Sequence, residues 1–254
     1  VHPTLFHLGH LTLPTFGLLA AVGLIFALGL SQYTAPLAGA DPDKLWDAGL
    51  FAVLTAFLLS RLLLVATHLQ TFLRFPILLL TVPSLTATGL LLTLLATALW
   101  LRLKRIPIPQ ALDAWAPCAT LAWAFLALGH FAEASDPGLS TTSLFSITMR
   151  GESTPQHPVA LYAALTAVLL TAALFLTLRR PHVPGRIASA ALIVTGLAQF
   201  LLSFLRQPDP ASALPLDALQ LVALAMLLAG LLALLPAHSS SQSHTIEPAP
   251  QPEL

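Results

Sequence analysis

The sequence predicts an all-α, polytopic integral membrane protein with seven transmembrane helices, its N-terminus outside and its C-terminus cytoplasmic. Three observations carry that reading. First, 56% of the 254 residues are hydrophobic and only 9% are charged, with a mean hydropathy of +0.83. An ordinary soluble domain has about 25% charged residues, and a chain of this size leaves much of its surface facing solvent. The solvent for most of this surface is therefore lipid. Second, the apolar residues fall into runs long enough to span a bilayer, about 20 residues each. Third, the basic residues between those runs are divided unequally between the two sides.

The runs are 13–31, 48–67, 84–101, 111–131, 158–178, 187–205 and 216–236. They are rich in Leu and Ala, which favour helices, and they lack the alternation of barrel strands. No long-period repeat suggests a duplicated transporter. The first run reads as a span, since no positive segment precedes it as in a cleavable leader. Residues 1–236 form the expected membrane domain. The Ser/Gln/Pro-rich stretch 237–254 reads as a disordered cytoplasmic tail.

The charge count orients the spans. Lys44, Arg102, Lys104, Arg105, Arg179, Arg180 and Arg186 fall on one side, while Arg74, Arg150 and Arg206 fall on the other. By the positive-inside rule the richer side is cytoplasmic. The composition excludes a soluble enzyme and a disordered chain, and it predicts no nucleic-acid partner. The single cysteine, Cys118, excludes an intramolecular disulfide framework and a multi-cysteine metal site. It reads as a small apolar packing residue. His2, His7 and His10 lack a compact ligand spacing, so no metal is expected, and no nucleotide or hydrolase signature is present.

Ionisable groups at membrane depth are costly and point to function. Arg61 lies well inside the second span and reads either as a holder of an anionic group or as a snorkelling residue. His130 and Glu133 are three apart at the outer end of the fourth span. They read as an acid/base pair or as a polar helix end. His157 and Tyr162 flank the start of the fifth span behind Pro158, as functional groups or as interfacial residues. Arg206 and Asp209 close the sixth span at a proline. Asp47, Asp113 and Asp217 read as charges favoured by the N-terminal dipoles of their own helices. The longest connection, 132–157, lies on the outer side with most of these groups, so the chemistry is expected at the outer leaflet.

The order of motifs resembles the bacterial prolipoprotein diacylglyceryl transferases. The opening HPTLFHLGHLTLPTFGLLAAVG, SRLLL around Arg61, DAWAP at 113–117, LGHFAEAS, HPVALY at 157–162 and FLRQPD at 204–209 follow the family's order. The resemblance implies a multi-pass protein of the bacterial cytoplasmic (inner) membrane. It implies transfer of the diacylglyceryl group of phosphatidylglycerol to the lipobox cysteine of preprolipoprotein signal peptides, without a cofactor. It implies a lipid-phosphate site at Arg61, Arg206 and Asp209, and catalytic groups among His157, His130, Glu133 and Tyr162. These residues are expected to converge on one outward-opening cavity.

Several positions depart from the family pattern. Phe16 stands for a tyrosine, Ala87 for a histidine, Ala127 for an arginine and His130 for an asparagine. Ser135 and Ala163 stand for glutamates, and Gln199 and Ser203 for an arginine and a glutamate. The resemblance therefore leaves three readings. The chain is a divergent transferase with substituted groups, a catalytically degenerate relative that binds phospholipid or lipoprotein signal peptides, or a small transporter.

Overall fold

The computed structural model describes residues 4–8, 11–74, 86–143, 145–148, 154–207 and 216–235. Its body is helical: α1 Thr15–Leu37, α2 Pro42–Thr67, α3 Leu69–Arg74, α4 Ala87–Leu103, α5 Ile108–Glu133, α6 Val159–Leu178, α7 Arg186–Ser203 and α8 Ala218–Leu234. Each of the seven apolar runs is a helix. Five of these (α1, α2, α5, α6 and α7) are long and apolar enough to cross a membrane, and α4 and α8 are shorter apolar helices. The six-residue α3 is an addition to the expected set.

One short hairpin precedes the helices, against the expectation of no strands. β1 Thr4–Leu8 pairs antiparallel with β2 Leu11–Pro14. Strands of four or five residues are too short for a periodicity argument to detect.

Capping residues and prolines, rather than the edges of the apolar runs, set the helix starts. Asp41 accepts the N–H groups of Asp43 and Lys44 at 3.1 and 3.4 Å, and Pro42 opens α2. Thr86 accepts the Gly89 N–H at 3.1 Å and starts α4. Pro158 precedes α6 as its cap residue rather than lying in its first turn. Asp217 caps α8 as expected, and its own N–H is held by Gln220 Oε1 at 3.2 Å.

Because α2 and α5 begin early, Asp47 and Asp113 lie past the first turn of their own helices, which corrects the dipole reading. Asp113 is fully buried and serves a neighbour instead. Its Oδ2 accepts the Gly185 N–H at 2.6 Å and its Oδ1 accepts the Ala188 N–H at 2.7 Å, at the start of α7. Gly185, at φ +91°, has no side chain to cap that helix, so the acceptor comes from α5. His182 Nε2 lies 3.7 Å from the same carboxylate.

α5 is the central rod, packed against α1, α6 and α7, while α2 pairs with α4 and α7 with α8. Its buried positions are mostly small: Ala111, Ala114, Ala116, Thr120, Ala124, Ala127 and Gly129. The buried face of α6 continues the pattern with Ala160, Ala163, Ala164 and Ala167. Large side chains such as Leu58, Leu62, Leu94, Leu165 and Leu232 are exposed. Small residues inside and leucines outside are what a helix bundle in lipid requires, since close packing rather than hydrophobic exclusion joins its helices. Cys118 is buried in α5 and its thiol donates to the Ala114 carbonyl at 3.4 Å.

Replacing Asp113 with alanine strands two part-buried N–H groups, each costing about 1–3 kcal/mol. Asp113→Ala is expected to lower the thermal midpoint in detergent far more than Asp41→Ala, whose cap is exposed. Equal midpoints would show that α7 does not depend on α5 for its N-terminus.

Candidate functional site

The site is built where α5 ends. Ala134 takes a left-handed conformation, φ 53°, and its N–H reaches back to the His130 and Phe131 carbonyls. The chain reverses there, and Ser135 N–H donates to the His130 carbonyl at 3.1 Å. The reversal carries Ser135 Oγ to 2.8 Å from His130 Nδ1. Phe16, on the first turn of α1, packs its ring on that of His130 with centroids 4.8 Å apart.

The following loop threads between two other segments. Leu139 N–H donates to the Leu205 carbonyl at 2.8 Å, Gln207 N–H to the Pro137 carbonyl at 3.1 Å, and His157 N–H to the Leu139 carbonyl at 3.0 Å. Gly138 is needed for this path, because a Cβ there would overlap the His157 carbonyl. The backbone pairing aligns Asp136 with Arg206, whose Nη2 lies 2.9 Å from Asp136 Oδ2 with both side chains about one-fifth exposed (21% and 18%).

A cavity of about 270 Å³ opens at this junction, between α5, α6, α7 and the start of α8. Its polar lining comes from His130, Ser135, Asp136, Gln199 and Arg206, and its apolar lining includes Trp123, Ala127, Ala160 and Ala163. Arg206 Nε and Gln199 Oε1 are buried and have no hydrogen-bond partner among the described residues. A guanidinium with one arm on a carboxylate and Nε unspent, in a largely apolar cavity, is suited to an oxyanion such as a phosphate.

Of the residues expected to converge, His130 and Arg206 line the cavity. Glu133 does not: its Oε1 accepts the Phe16 N–H at 3.2 Å, at the start of α1. There Pro14 supplies no side-chain cap. The two residues three apart on α5 thus face different partners. His157 and Tyr162 contact each other, Nδ1 to Oη at 3.5 Å, but neither is among the lining residues. Arg61 stands half-buried on α2, is engaged within the protein, and is not in the lining either. It adjoins Ser60, against which Gly89 of α4 packs too closely for any Cβ. Asp209 lies outside the described residues. The sequence reading missed Asp136, Trp123 and the Ser135–His130 contact. Only the spacing of Ser135 from His130 hinted at the last, and it required a left-handed turn at an alanine.

The departures from the family pattern are concentrated at this place. Ala127, His130, Ser135, Ala163 and Gln199 all line the cavity, while Phe16 touches its wall through His130 and Ser203 accepts the Gln220 Nε2–H at 3.1 Å.

Long apolar helices around an arginine-bearing cavity at their ends mark a polytopic membrane protein. The prolipoprotein diacylglyceryl transferase family model matches residues 3–235, and the chain belongs to that family, a family of transferases. It is 30% identical over 245 residues to the phosphatidylglycerol–prolipoprotein diacylglyceryl transferase of Geobacter sulfurreducens, covering 91% of this chain and 93% of that one. It is 27% identical over 215 residues to the enzyme of the same name from Pseudoalteromonas atlantica, covering 82% and 77%. A match of 31% identity to the Methylibium petroleiphilum enzyme extends over 128 residues, about half of either chain (48%).

Two outcomes test the site. Arg206→Ala is expected to weaken binding of an anionic phospholipid about tenfold or more, whereas Arg74→Ala on the exposed end of α3 leaves it unchanged; native mass spectrometry with defined lipids reads both. Glu133→Gln keeps the carbonyl acceptor for Phe16 and is expected to hold the thermal midpoint near that of the native chain, while Glu133→Ala lowers it. A midpoint lost in both variants would mean that Glu133 works through its charge.

Proposed function

We propose that this protein transfers the diacylglyceryl group of phosphatidylglycerol to the lipobox cysteine thiol of preprolipoproteins. The observation that carries the reading is the family match over nearly the whole chain together with a cavity that holds Arg206 at the family's FxRxPD segment. In the reaction the cysteine sulfur forms a bond to the glyceryl carbon, the carbon–oxygen bond to phosphate breaks, glycerol phosphate leaves, and the thiol proton passes to a base. Arg206 offers a cation to the phosphate oxygen as negative charge builds there. The thiolate is the competent nucleophile, and one site must hold the lipid and the peptide within attack distance.

The membrane arrangement belongs to the same proposal. Residues 1–236 form a seven-span domain in the bacterial cytoplasmic membrane, with the N-terminus and the cavity outside and the 237–254 tail inside. α4 and α8 have 17 residues each, which at about 1.5 Å per residue lies at the short end of the spanning range. Lys104 over Trp100 at 5.0 Å and Arg179 over Phe175 at 4.8 Å put cations on aromatic rings at the ends of α4 and α6, as expected at a cytoplasmic interface. The positions of Arg61, His157, Tyr162 and Asp209 in family motifs make them candidates for lipid and peptide contacts outside the cavity.

A second reading is favoured by one observation. Ala127, Ala163 and Gln199 line the cavity where the family pattern has charged residues, and catalytic groups that act as a unit fail together. In that reading the protein holds phospholipid or a lipoprotein signal peptide without turnover. Purified protein in nanodiscs, labelled phosphatidylglycerol and a lipobox peptide decide between the two. Thioether formation is the expected result, lost on replacing the lipobox cysteine with serine. Lipid binding without thioether, beside an active family enzyme, would establish the second reading.

A further inference from the structure

Three positions at which this chain departs from its family's pattern touch one another. The Phe16 ring lies on the His130 ring at 4.8 Å with planes at 51°, and Ser135 Oγ lies 2.8 Å from His130 Nδ1. The three side chains meet at the wall of the cavity that His130 and Ser135 line. The contacts also bear on which nitrogen carries the proton. Ser135 has one hydroxyl proton, and its Oγ donates to the His130 carbonyl at 3.4 Å. The short contact then has Nδ1–H donating to Ser135 Oγ, which leaves the lone pair on Nε2.

We infer that Ser135 is a positioning residue that holds His130 in the Nδ1–H tautomer, and that His130 Nε2 is the base that takes the thiol proton in this cavity. Phe16 fixes the ring plane from the other side. The inference rests on the transferase reading and narrows it to a named base. As the sulfur–carbon bond forms and glycerol phosphate departs, the S–H proton moves to Nε2, giving an imidazolium that returns it to water. Asp136 and Arg206 line the same cavity, and the imidazolium therefore forms beside an ion pair rather than beside a lone cation. Glu133, on the same helix, is committed to the start of α1.

The test combines a spectroscopic and a kinetic readout on the full chain in nanodiscs. Histidine nitrogens are labelled with nitrogen-15, and the His130 signal is identified by its loss in His130→Asn. At a pH where the ring is neutral, the native chain is expected to show Nδ1 protonated and Nε2 bare. Ser135→Ala is expected to mix or invert that tautomer and to lower kcat about tenfold with KM for the lipid unchanged, while Ser135→Thr restores both. His130→Asn is expected to lower kcat about a hundredfold or more. A native ring protonated at Nε2, or a tautomer and rate indifferent to Ser135→Ala, overturns the inference while leaving the transferase reading intact. A native chain without transfer overturns the transferase reading, and the role of His130 as base with it, whatever the tautomer.

Discussion

Two carboxylates on one helix hold the ends of its neighbours, and the bundle is organised around them. At one end of α5, Asp113 accepts the backbone N–H groups that open α7. At the other, Glu133 accepts an N–H at the start of α1. The first four N–H groups of any helix have no partner within it, and an unpaired one near lipid is expensive. Gly185 and Pro14, which precede α7 and α1, bring no side-chain oxygen of their own. α5 supplies both acceptors. The two contacts also fix direction: α1 starts where α5 ends, and α7 starts where α5 starts. That is the alternation a chain must have if its first and fourth spans run oppositely and its fourth and sixth run together.

The same helix can reach its neighbours because its buried face is small. Alanines, a threonine and a glycine let α1, α6 and α7 approach closely enough for backbone-to-carboxylate bonds of under 3.3 Å. A leucine in place of Ala114 or Ala127 would hold the helices apart and break the caps. Packing and capping are therefore one constraint on this sequence, and the exposed leucines are its counterpart on the lipid side.

This explains what could be read from the sequence. The seven helical runs were legible, because crossing lipid demands length and apolarity, and both are local properties. The starts that extend α2 and α5 beyond those runs, at Asp41-Pro42 and at Pro107–Pro109, fell outside them. Asp113 and Glu133 were visible as charges, but their partners lie 72 or more residues away in the chain, and no spacing rule reports such a pairing. The strongest site residue, Arg206, was legible through its motif. Its partner Asp136 was not, since the pair is made by a loop threaded between residues 155–157 and 205–207. Glu133 shows the same limit in reverse: its place beside His130 suggested shared chemistry, while its side chain turns to a helix start.

The cavity itself is sparsely charged. Where the family pattern carries several charged groups, this lining has one arginine, one aspartate and one histidine. The ion pair, with both side chains about four-fifths buried, holds the guanidinium at the cavity wall before any ligand arrives. An entering phosphate competes with Asp136 for the arm of Arg206 that the carboxylate holds. Displacing a carboxylate costs part of the attraction that a second arginine would have supplied in full. The anion is therefore held less firmly as it enters than in a cavity lined by unopposed cations. Strong holding of the substrate does not by itself accelerate the chemical step; only interactions that strengthen as charge builds on the leaving oxygen do so. In the proposed reaction, a single arginine that shifts from Asp136 to that oxygen meets this requirement.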